Sequence, residues 1–261
     1  MSVAMATSIL DFKVPQGSVG LFWFGQNGFI FKSPEGTLVA TDLYLSNSCA
    51  TLRQDIDLSR QVPILLEPHE VQVDVFACTH NHQDHADPET IRELINKDTM
   101  QFVGPPPVCN LFRESHVEDS RITPAWADGV IEQRDMRLTG TFALPTDSTD
   151  LNHLGFVLQF GRGPKIYITG DTDHHELLYS VAKHQPDLVI TCINGGFNNL
   201  SAWEAGKLVA AIKPKLAIGC HYDMFRDNSA DPAQFAAALK IQAPDTAFAQ
   251  LQHGIPFLFS K

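Results

Sequence analysis

With 261 residues, 44% of them hydrophobic and 19% charged, the chain can bury one large core or two small ones, and no stretch approaches the length of a membrane span. Asp and Glu number 30 against 19 Lys and Arg, and a formal charge of -11 with no basic run repels phosphate backbones. Neither nucleic acid nor a membrane is therefore an expected partner.

Met1 to Leu10 has no basic region and no long apolar stretch, so no secretory signal is expected there. Apolar runs at 20–24, 28–32 and 37–41 then read as strands. Ser33-Pro34-Glu35-Gly36 supplies a hairpin turn between the last two. Gln26-Asn27-Gly28 reads as a polar turn. Residues 46–70 are polar and irregular, a loop with short helix. Val73 to Thr79 reads as a buried strand, and Thr79-His80-Asn81-His82-Gln83-Asp84-His85 follows at its C-terminal end.

Imidazole and carboxylate are the ligands that zinc, iron and manganese accept. Extended backbone sends alternate side chains to one side, so His80 and His82 can converge on one ion. A tight bend after Gln83 brings Asp84 and His85 to a second position.

Beyond this loop, Asp87 caps a helix begun by Pro88, with Ile91, Leu94 and Ile95 on one face. Phe102 to Pro105 is a short strand and turn. Strand-rich sequence returns from 130 to 146, and again at 154–160 and 165–169. Alternation follows: helix at 176–183, strand at 188–192, helix at 201–212, strand at 216–220, helix at 232–239 and a last strand at 256–259. Ser201 and Glu204 form a capping box. Two strand-rich blocks, each followed by helix, predict one α/β (α+β) domain over residues 1–261, a four-layer αβ/βα sandwich. Five cysteines (Cys49, Cys78, Cys109, Cys192, Cys220) are odd in number, widely spaced and largely in apolar runs. Buried thiols in a reducing, cytoplasmic setting are expected.

Three more strands end in polar residues that can reach the histidine loop: Asp42, Asp171 after Gly170, and His221. The ordered set Asp42, His80-x-His82-x-Asp84-His85, Asp171 and His221 resembles the metallo-β-lactamase superfamily over residues 18–259. Within it, Tyr167 to Thr172, the Asn194-Gly195 region and Cys220 to Phe225 with Asn228 and Asp231-Pro232 make the chain similar to the L-ascorbate-6-phosphate lactonase group. That resemblance implies a hydrolase using one or two divalent ions, Mn2+ or Zn2+, held by His80, His82, Asp84, His85, Asp171 and His221. Asp171 would bridge two ions. Asp84 would hold the second ion or shuttle protons. Asp42 would orient a histidine through its free ring N–H.

One position departs from the superfamily pattern. Where relatives carry a histidine after the strand ending at Pro145, this chain runs Thr146-Asp147-Ser148-Thr149-Asp150-Leu151-Asn152-His153. Asp147 is nearest in sequence and is the expected ligand, with His153 the alternative imidazole; an oxygen ligand would favour manganese. His174 and Asn194, with its glycine- and amide-rich loop, are candidate substrate contacts. His69, His116, His184 and His253 read as ordinary, with His253 the nearest of them to the site. The expected reaction is hydrolysis of a small anionic or sugar-derived lactone or ester by metal-bound hydroxide. A small-molecule phosphodiesterase and a non-hydrolytic metal-binding protein are the alternatives. A small-molecule substrate is the expected partner, and a homo-oligomer is compatible with the sequence.

Overall fold

Alternation along the strands decides the layering. The computed structural model describes residues 2–261, so Met1 of the N-terminal reading lies outside the described residues. The first sheet contains β1 (Ser18–Trp23), β2 (Phe29–Lys32), β3 (Leu38–Thr41), β4 (Val75–Ala77), β5 (Gln101–Gly104) and β6 (Ile122–Pro124). The second contains β7 (Val130–Gln133), β8 (Met136–Phe142), β9 (Leu154–Phe160), β10 (Lys165–Ile168), β11 (Leu188–Cys192), β12 (Leu216–Cys220) and β13 (Ala247–Ala249). The last strand, β14 (Phe257–Ser260), returns to the first sheet beside β1. The orders are β14-β1-β2-β3-β4-β5-β6 and β13-β12-β11-β10-β9-β8-β7. β3 to β6 run parallel, as do β10 to β13.

Val19, Leu21 and Trp23 of β1, with Phe29 and Phe31 of β2 and Val75 and Ala77 of β4, share a core with Leu138, Phe156, Leu158, Ile166 and Ile168 of the second sheet. The residues between them, Phe22, Ile30 and Phe76, join a separate core with Ile91, Val108 and Phe112. Period-two side-chain alternation therefore buries the first sheet on both faces, against the other sheet and against helices. Those helices are α1 (Ser2–Asp11), α2 (Pro88–Glu93) and α3 (Pro106–Glu114). α4 (Ala202–Ile212) and α5 (Pro232–Gln242) pack on each other and place Leu208, Val209, Phe235 and Leu239 in the core of the second sheet. The result is the four-layer sandwich expected.

Local chemistry sets the helix starts. The Asp87 carboxylate accepts from the Glu89 and Thr90 N–H groups, and the Ser201 hydroxyl accepts from Glu204 N–H. Several elements differ from expectation. The stretch Glu176–His184 winds in 3-10 turns rather than an α-helix, closed by left-handed Gln185. α2 stops at Glu93, Leu94 turns extended, and Ile95 is exposed instead of facing the core. Pro105-Pro106-Pro107 masks α3 in the sequence; proline is tolerated in a first turn, whose N–H groups have no partner. α1 has no acidic residue in its first turn and no basic one in its last, and β6 and β13 are too short for periodicity to register. Among the described residues no helix is long and apolar enough to cross a membrane.

Candidate metal centre

The ends of β3, β4, β10 and β12 and the start of β9 meet at one rim of the sandwich. There the backbone leaves ordinary conformations: Asp42 has φ 46° and His221 φ 62°, left-handed values uncommon outside glycine. Gly170 (φ 62°) precedes Asp171, and a Cβ on it would come within 2.9 Å of both Leu154 O and Thr79 Oγ1. Only glycine lets the two sheets approach this closely. Leu154 N–H donates to Thr79 O at 3.0 Å, which ties the start of β9 to the histidine loop.

Asp42 is fully buried and organises the loop from behind. Its carboxylate accepts from Thr79 N–H (2.7 Å), Thr79 Oγ1 (2.7 Å) and Asn27 Nδ2 (2.6 Å), and stands 2.9 Å from His85 Nδ1. With Nδ1 so engaged, His85 turns Nε2 towards Asp171 Oδ1 (3.2 Å) and Asp84 Oδ2 (3.7 Å). His221 Nε2 reaches the same Asp171 oxygen at 2.9 Å. The other Asp171 oxygen accepts from Asn199 Nδ2 at 2.8 Å.

Possible ligand atoms fall into overlapping groups: His80, His82 and His153; His80, His85 and Asp171; and Asp84, His85 and His221. Within each, the atoms lie within 4.8 Å of one another. The rings of His80 and His153 are 4.0 Å apart.

His153, rather than Asp147, thus stands with the imidazoles of the loop. β9 and β10 are antiparallel, so the residue before β9 lies beside the residues after β10, and His153 Nδ1 is 3.2 Å from Asp171 O. Asp147 does not enter the cluster as expected. Its Oδ1 accepts from Thr149 N–H (2.7 Å) and Oγ1 (2.6 Å), a local turn that keeps it at the rim, 47% exposed, with Oδ2 3.2 Å from His82 Nε2. Asp150, buried in the same loop, accepts from Asn81 N–H at 3.2 Å.

Electrostatics differ from ring to ring. Burial drives the His80 imidazole well below its usual range, and burial also lowers His153. Burial opposes charge on His85, yet the carboxylates of Asp171, Asp84 and Asp42 outweigh it and hold that ring well above the usual range. Burial would likewise raise Asp171, but His221 and His85 bring it well below ordinary carboxylates.

A divalent ion fits this donor set. Among the described residues, His80 Nε2 and His153 Nε2 are buried with no hydrogen-bond partner, while His85 Nε2 and His221 Nε2 have only the buried Asp171 Oδ1 to face, at 3.2 and 2.9 Å. Such orphaned polar atoms are costly and rarely left without a bonding role.

Other candidates fall elsewhere. His174 Nε2 pairs with Tyr179 Oη at 2.9 Å and does not line the adjoining cavity. Asn194 sits one step back, donating to Asn228 Oδ1 at 2.5 Å; it is Asn228 that lines the cavity. His253 stacks on Trp23 at 4.1 Å. The turn at Gln26-Asn27 matters more than expected. Fully buried Gln26 donates from Nε2 to Asp84 Oδ2 at 3.0 Å and lies 3.3 Å from His221 Nδ1. Its left-handed φ of 45°, unusual for glutamine, has no marker in the sequence beyond a run of polar residues between two apolar strands.

Residues 20–221 match the family described as "Beta-lactamase superfamily domain". A UPF0173 metal-dependent hydrolase of Thermoplasma acidophilum is 32% identical over 178 residues, 66% of this chain and 75% of that protein. Igni18, described as a novel metallo hydrolase from Ignicoccus hospitalis, superposes with a TM-score of 0.74 at 18% identity, covering 94% of this chain and 99% of that one. CmlA, a diiron beta-hydroxylase from Streptomyces venezuelae, superposes with a TM-score of 0.69 at 15% identity, covering 95% of this chain and 55% of that one. At such identities the two structures speak for the fold alone.

Proposed function

The chain belongs to the beta-lactamase superfamily domain family, and from that membership we propose that it is a metal-dependent hydrolase opening a small lactone or ester. The observation that carries this reading is the gathering of buried imidazoles and carboxylates in overlapping groups at one rim, with His80 Nε2 and His153 Nε2 left without a hydrogen-bond partner. His80, His82 and His153 would hold one ion, Asp84, His85 and His221 a second, with Asp171 between them. Three imidazoles suit zinc better than manganese at the first position. Divalent ions there would supply water acidified to near-neutral pKa and polarisation of the carbonyl under attack.

The chain's own residues do the rest. Asp42 and the Asp171 carbonyl fix which ring nitrogens of His85 and His153 face inward. Gln26 holds the Asp84 carboxylate, which is the group suited to move a proton. In the net reaction water oxygen joins the acyl carbon, the ring or ester C–O bond breaks, and a water proton ends on the departing oxygen. Lactonase-like specificity rests on the sequence resemblance given above. Cytoplasmic placement rests on five buried thiols, all free.

The test is elemental analysis of the purified protein, followed by a lactone and ester panel with the metal found. Turnover that rises with metal occupancy and is abolished by a chelator is the expected result. A metal-loaded protein inert towards every lactone and ester would overturn the reading.

A further inference from the structure

Beside the ligand groups lies a cavity of about 550 Å³, inside the roughly 300–1,000 Å³ range of small-molecule sites. His82, Asp84 and Asp171 mark its metal end. The remaining lining sets Leu52, Leu58, Phe197 and Phe225 beside the uncharged polar groups of Asn81, Gln83, Thr146, Thr149 and Asn228. Leu52 is 50% exposed and Phe197 43% exposed, an open apolar surface at the site itself. Phe197 is held there by its backbone. Its φ is 55°, that of Asn198 is 58°, and Asn198 Nδ2 donates to Thr146 O at 2.7 Å. Left-handed backbone at a bulky side chain is costly and points to a positional requirement.

Positive charge is nearly absent from these walls. Among the described residues Arg53 is the one lysine or arginine in the lining, and Asp55 accepts from its Nε at 2.9 Å and from a second nitrogen at 2.5 Å. The lining also carries Asp147. An anionic tail away from the metals would meet no lysine or arginine of the described lining other than this paired Arg53, whereas a hydrocarbon arm would cover exposed leucine and phenylalanine. We propose that the substrate is neutral, a lactone or ester whose carbonyl lies at the metal end and whose apolar arm of several carbons lies on Leu52, Leu58, Phe197 and Phe225. This departs from the expectation of an anionic or sugar-derived substrate, and it rests on the hydrolase reading.

The experiment uses two metal-directed probes of equal reach. Octanohydroxamic acid and suberic acid monohydroxamate are titrated calorimetrically into the zinc-loaded protein. The first should bind at least about tenfold more tightly, the gain from burying roughly two methylenes. Leu52→Lys, at an exposed position, should reverse that preference, and Arg53→Ala should leave it unchanged. Equal or tighter binding of the carboxylate probe to the wild type, its selective loss in Arg53→Ala, or no binding of either probe would overturn the proposal. Turnover of γ-octalactone and of octanoate esters is scored separately. Probe preference without turnover would defeat the hydrolase reading and leave the ligand class standing; turnover without preference would defeat the ligand class alone.

Discussion

His153 Nδ1 lies 3.2 Å from the carbonyl oxygen of Asp171, across the start of the antiparallel pair β9 and β10. Donation from Nδ1–H leaves Nε2 bare and facing His80, and that nitrogen is buried without a partner. One backbone acceptor therefore selects both the orientation and the tautomer of this ring.

His153→Ala should remove the ion shared with His80 and His82, and turnover with it, by orders of magnitude. Asp147→Ala should be milder. That residue faces the outer nitrogen of His82, and loss of such a partner costs about 10–100-fold in affinity or activity. Metal titrated into both apo variants by calorimetry ranks them. The reverse order would make Asp147 the ligand.

Asp84→Asn should retain an ion at His80, His82 and His153 while the rate falls at least about a hundredfold, the low end of acid–base contributions. Gln26→Leu should move in the same direction by a smaller factor, since it frees the carboxylate that Gln26 holds. Full activity in Asp84→Asn, measured at saturating metal, would remove Asp84 from the chemistry.

Metal affinity should depend on pH with a definite sign. In the metal-free protein the surrounding carboxylates hold His85 well above the usual imidazole range, so an ion must displace that proton. Affinity should rise with pH by about tenfold per unit for each proton displaced, until pH passes the raised value. Calorimetry in buffers of different ionisation heat counts the protons. Release of none at neutral pH would contradict the expectation.

Gly170→Ala should destabilise the fold by more than about 2 kcal/mol, from left-handed backbone strain and the crowding of Thr79 and Leu154. The urea midpoint measures this. A change within about 0.5 kcal/mol, typical of an exposed position, would mean the two sheets can separate at no cost.

Much of this molecule is legible in its sequence because alternation and strand-end residues are local signals. The run from His80 to His85, Gly170-Asp171 and His221 each follow an apolar strand, and those strand ends do gather at one rim. Proximity in sequence favours Asp147 over His153, whereas the antiparallel pairing of β9 with β10 carries His153 to Asp171. Gln26 looks like a hairpin turn because nothing local says it is buried; only packing against the ends of β4 and β12 makes it a partner of Asp84 and His221. His174 stands close to Asp171 in sequence, but its ring pairs with Tyr179 instead.

The central claim is that these imidazoles and carboxylates form a divalent metal centre. Elemental analysis of purified wild type and of a folded His80→Ala/His153→Ala variant tests it most directly. The account predicts one or two bound ions in the wild type and loss of at least one in the variant. Equal metal content in the two proteins would contradict it.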